Sequence, residues 1–138
     1  MPSSLALQKI MAMQHEARGL SDLCFRMHIN KVSTVTIDVL GCTYLYRLEN
    51  GELLHSHIPS ERRGYSSEII DEVLTNSLER YETGLMSTER LLGILPYAGI
   101  RFVDLHLDRQ KAEIIFIGSE GFRAHEISWQ VEDLFIGK

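Results

Sequence analysis

The chain repeats its own grammar at a spacing of about 70 residues, and that periodicity restricts the fold more than any single motif does. In the first half, Ser3 or Ser4 is placed to cap a helix carrying Leu7, Ile10 and Met11. Gly19 is placed to stop it, and Ser21 to cap a shorter helix with Leu23, Cys24 and Met27. Three strand-like runs follow, Val32 to Val39, Thr43 to Leu48 and Leu53 to Ile58, broken at Asp38 to Gly41 and at Glu49-Asn50-Gly51. In the second half, Ser66 or Ser67 precedes Ile69, Ile70, Val73, Leu74, Leu78 and Tyr81 at helical spacing, with Gly84 as the stop. Ser87 then introduces Leu91, Leu92 and Leu95 before Pro96. The runs Ile100 to Leu107, Ala112 to Ile117 and Phe122 to Ile127 complete the unit.

An offset of 70 places Val35 on Leu105, Ile37 on Leu107, Asp38 on Asp108, Tyr46 on Phe116, Gly51 on Gly121 and His55 on His125. The expected fold is therefore α+β: two helix-helix-β-β-β pseudo-repeats, 3–58 and 66–127, in one 138-residue domain. Their strands form an antiparallel sheet with the helices packed on one face. Residues 21–58 should superpose on 87–127, with His55 beside the equivalent of His125. The segment 57–67 reads as a mobile joint, and Ser128 to Phe135 as a short capped helix docked through Trp129 and through Phe135 or Leu134.

Composition closes several function classes. An apolar fraction of 44% and a charged fraction of 24% argue for a packed core and against disorder. Cys24 and Cys42 lie in apolar periodic segments without a C-x-x-C spacing, which suits buried, reduced thiols and a cytoplasmic location. The N-terminal residues lack the pattern of a secretory signal, and no run approaches the roughly 18 apolar residues of a membrane span. A net charge of -5 disfavours general nucleic-acid binding, with Arg62-Arg63 the only basic cluster.

No nucleophile elbow, phosphate loop or dinucleotide fingerprint is present, so no cofactor and no catalytic residue is assigned. Two constellations hold metal-ligating residue types. In Val103-Asp-Leu-His-Leu-Asp-Arg, Asp104, His106 and Asp108 share a strand face, but Asp104 and His106 fall on Thr34 and Thr36 of the other half. That makes a solvated face the favoured reading. His55 and His57 have metal-ligand spacing; a third ligand, His125 or His106, would require the repeats to meet about a two-fold axis. The runs Tyr44-Leu-Tyr46 and Ile114-Ile-Phe-Ile117 are apolar on both faces. Tyr44, Tyr46, Ile115 and Ile117, with Arg62 and Arg63, are accordingly the expected partner interface, in a homodimer or with another protein.

The stretch Ala98 to Gly121, "AGIRFVDLHLDRQKAEIIFIGSEG", resembles the small enterobacterial and prophage proteins of the YdfO type. Ala98-Gly99-Ile100, Arg101-Phe102, Arg109 and Gly118 carry the likeness. Asp104 is displaced in register, and Phe116-Ile117 stands where that family has a tyrosine pair. The family has no established activity, so the resemblance implies a mobile-element accessory protein and transfers no site. The expected function is that of a non-enzymatic cytosolic interaction protein that binds and modulates another protein. The alternatives are a small-ligand or metal-binding protein using histidines between the halves, and an acidic dimeric secretion chaperone.

Overall fold

The computed structural model describes residues 2–57 and 64–135. Helices α1 (Pro2–Glu16) and α2 (Leu20–Ile29) precede strands β1 (Val32–Asp38), β2 (Thr43–Leu48) and β3 (Leu53–His57). Helices α3 (Asp71–Glu82) and α4 (Thr88–Ile94), followed by a 3-10 turn at Leu95–Ala98, precede β4 (Ile100–Leu107), β5 (Lys111–Gly118) and β6 (Arg123–Gln130). A 3-10 turn, Val131–Phe135, ends the described chain. The six strands make one antiparallel sheet in the order β3-β2-β1-β4-β5-β6. This is the α+β architecture of two helix-first units that the repeat predicts.

The units meet where β1 pairs with β4. Thr34 pairs with His106, Val35 with Leu105 and Thr36 with Asp104, so an offset of 70 maps this ladder onto itself about Val35–Leu105. Beyond the central pair the offset drifts. Ile37 pairs with Tyr44, seven residues on, whereas Leu107 pairs with Ala112, five residues on. The counterpart of Tyr46, the partner of Val35, is therefore Ile114, the partner of Leu105, and not Phe116. A two-residue shift keeps each side chain on its expected face. In the outer strands Leu54 answers to Ile127, so His55 corresponds to Ser128 and not to His125.

One continuous core lies between the helices and one face of the sheet, built from Val35, Ile37, Tyr46, Leu54, Leu105, Ile114 and Phe116 below and Ile10, Leu23, Met27, Leu78 and Tyr81 above. Burying these side chains supplies the folding force, at about 25 cal/mol per Å² of apolar area. Cys24 and Cys42 are buried and not joined in a disulfide, and burial pushes the Cys24 thiol up to about 12. A polar bridge ties three helical segments together inside the core. The Tyr81 hydroxyl lies 2.7 Å from the Thr88 hydroxyl, which donates to the Ala17 carbonyl at 3.2 Å. Ser87 caps α4 by accepting from the Arg90 amide, and Glu82 accepts from the Leu20 amide at 2.6 Å, holding the start of α2.

Two expected boundaries move. α3 begins at Asp71 and not at Ser66, because the preceding segment runs extended along the 3-10 turn: Ser66 donates its amide to the Pro96 carbonyl and Ile70 to that of Ala98. Close approach there requires Gly99, at φ +83°, where an added Cβ would sit 2.1 Å from the Glu68 carbonyl oxygen. The expected tail helix starts at Val131 and not at Ser128, because residues 128–130 continue β6. Trp129 pairs with Ala112, a small neighbour that leaves room for the indole, and only the 3-10 turn follows. Phe135 nevertheless docks as expected, edge-on to Phe25 at 5.1 Å between centroids.

Three outcomes follow from this packing. Gly99→Ala combines left-handed backbone with a backbone clash and is expected to cost more than about 2 kcal/mol in urea unfolding. Thr88→Val strands the Tyr81 hydroxyl and the Ala17 carbonyl, for an expected loss of about 1–3 kcal/mol. Burial first of all raises Tyr81 from its ordinary value of 10.0 to about 12. The folded state thus favours neutral Tyr81 while the unfolded chain ionises it, so stability is full below pH 10 and falls as pH rises toward about 12. A thermal midpoint that is flat across that window would contradict this assignment.

Candidate functional site

Strand alternation divides the sheet into a helix-covered face and an open one. Thr34 and Thr36 of β1 occupy the centre of the open face, flanked by Asp104 and His106 of β4, by Glu113, Ile115 and Ile117 of β5, and by Thr43, Leu45 and Arg47 of β2. No helix covers this side among the described residues, and its character decides what the molecule presents.

The Asp-His-Asp triplet separates into two parts. Asp104 pairs across to Thr36 and Ile115, and His106 to Thr34 and Glu113. Asp104 is half-buried, with its Oδ1 buried and without a hydrogen-bond partner among the described residues; His106 is exposed. Asp108 has left the strand for a turn, where it accepts from the Gln110 amide at 2.7 Å and the Lys111 amide at 2.6 Å. Those backbone donors hold its carboxyl below the usual carboxylate range. Asp38 does the same in the other half, accepting from the Gly41 amide at 2.9 Å and also pairing with Arg101 at 3.0 Å. The two aspartates are turn-forming residues in equivalent places, as the repeat implies.

The histidines do not converge. β3 and β6 are opposite edges of the sheet, five strand spacings or about 24 Å apart. His55 and His57 point to the open face, with His57 Nδ1 3.1 Å from the Thr43 hydroxyl. His125 lies on the helix-covered face, its ring centroid 6.0 Å from that of Phe116. No cluster of three or more His, Cys, Asp or Glu suited to a metal ion exists among the described residues. The reading of His55, His57, His125 and His106 as a shared ligand set is thus corrected: the pseudo-two-fold axis runs through the middle of the sheet and sends the outer strands apart.

The expected interface is corrected first at its two tyrosines. Tyr44 and Tyr46 face the helices and are 7% and 0% exposed; the Tyr46 hydroxyl donates to Gln14 Oε1 at 2.7 Å inside the core. Ile115 and Ile117 lie on the opposite face of the sheet, where Ile117 is partly exposed but Ile115 is buried at 5% exposure. There they join Phe102, which pairs with Ile117 and stacks under the Arg101 guanidinium at 5.5 Å. Sequence reasoning passed over Phe102, although it shares strand parity with Asp104 and His106. Leu45 and Leu53, 38% and 52% exposed, are further apolar residues on this face, paired across the β2–β3 ladder with His55 and Arg47. Arg62 and Arg63 lie outside the described residues.

No helix among the described residues is long and apolar enough to cross a membrane. No family model matches the chain, and no curated protein is significantly similar to it. The distribution of histidines carries its own expectation: one equivalent of zinc leaves the thermal midpoint unchanged. His106→Ala, at an exposed strand position, shifts stability by less than about 0.5 kcal/mol.

Proposed function

We propose that this chain is a cytosolic interaction protein that grips another protein through the open face of its sheet. One observation supports the reading above others: the partly exposed apolar side chains of Phe102 and Ile117, with the exposed Leu45 and Leu53 beyond them, lie on the face that no described helix covers. Antiparallel sheets of this kind place polar residues on a solvated face, and departures from that rule mark contact surfaces. The likeness of residues 98–121 to accessory proteins of prophages gives the reading a setting, in which a small protein modulates a host component by binding it. The net charge of -5 favours a basic target and speeds the encounter with it.

The test is affinity capture with the native chain and with Phe102→Glu/Ile117→Glu, both partly exposed positions, with melting curves to establish that the variant folds. A defined partner retained by the native chain and lost by the folded variant is the expected result. Equal retention by both proteins would move the contact off this face. Sedimentation that shows a native dimer and a monomeric variant would make the partner a second copy of the chain.

A further inference from the structure

The free edge of β6 and the groove beside it form a second surface with a different geometry. Leu74, Leu78 and Glu79 of α3, with Glu82 at its end, stand on one side, and Ile127 and Trp129 of β6 on the other. The space between them is about 340 Å³ and mostly apolar. β6 is an edge strand, and among the described residues no backbone group of 124–130 bonds beyond its ladder with β5, so alternate amides and carbonyls point outward. A bulge at Ala124 and the Arg123–Glu126 ion pair at 2.9 Å blunt the start of this edge, leaving Glu126–Gln130 as its regular part.

We propose that this edge accepts an extended, basic segment of another protein as a seventh strand. The outward backbone groups of β6 supply the ladder, and alternate side chains of the incoming strand enter the groove over Ile127 and Trp129. Charge selects the occupant. The α3 wall carries the carboxylates of Glu79 and Glu82, and no Lys or Arg lines the groove, so Lys or Arg flanking the apolar side chains meets complementary charge. A second copy of this acidic chain would bring like charge to the same wall. The surface is separate from Phe102 and Ile117, so its failure leaves the open-face reading standing.

Trp129 is the only tryptophan of the chain, and its fluorescence reports on the groove directly. The full chain is titrated with a short synthetic peptide alternating valine with lysine, with the same peptide carrying glutamate for lysine, and with one carrying a central proline. A saturable change in Trp129 fluorescence with the lysine peptide is expected. It should weaken about three- to tenfold in Glu79→Lys and vanish with the proline peptide, which lacks the necessary donor and extended register. Melting curves establish that Glu79→Lys folds. Equal response to the glutamate or proline peptide, or no response to any, would overturn the proposal. So would a dimer in sedimentation whose Trp129 is already shielded, since the edge would then belong to a second copy.

Discussion

The antiparallel contact between β1 and β4 is the constraint on which the molecule rests. It joins residues 70 positions apart, at Val35 and Leu105, and turns two three-stranded sheets into one. Either unit alone would leave a long strand with its hydrogen-bonding groups unpaired along the edge that now lies at the centre. Fusing the two edges removes that liability and leaves one wide apolar face. Four helices are enough to cover it, whereas a separate unit would have to shield a smaller core with two.

Covering one face so thoroughly determines what the other becomes. All the described helices lie on one side, so polar and apolar residues meet on the remaining surface in the order the strands dictate: threonines, Asp104 and His106 at the centre, apolar side chains toward either end. The pseudo-symmetry holds for the backbone and fails for the chemistry. By the register of the two halves, Ile115 answers to Arg47, and Glu113 answers to Leu45. The two ends of the face therefore differ, and a partner binding there meets an oriented surface.

The α+β class, both helical hairpins, the strand order within each unit and the turn aspartates were legible because each depends on local signals: caps, glycine stops and alternation over a few residues. Three things were not. The correspondence of His55 with His125 assumed a constant offset, but the β4–β5 turn is two residues tighter than its counterpart, β5 and β6 run longer than β2 and β3 with a bulge at Ala124, and pattern alone does not count hydrogen bonds. The facing of Tyr44 and Tyr46 was obscured because β5 is apolar on both sides, which invited the same reading of β2. In fact β2 alternates cleanly, with Leu45 and Arg47 outside. Trp129 was read as part of a helix because nothing local distinguishes an amphipathic turn from the last residues of a strand; pairing with Ala112 decides it.

The central pairing also has a consequence in time. During synthesis β1 is complete roughly 3 to 13 seconds before Leu105 is added, at ordinary elongation rates of about 5–20 residues per second. For that interval the nascent chain carries an unpaired central strand whose proper mate does not yet exist. The β4 of a neighbouring copy, being the same sequence, carries the same hydrogen-bonding groups and side chains as its own. Closure within one chain therefore depends on how quickly the second half follows the first.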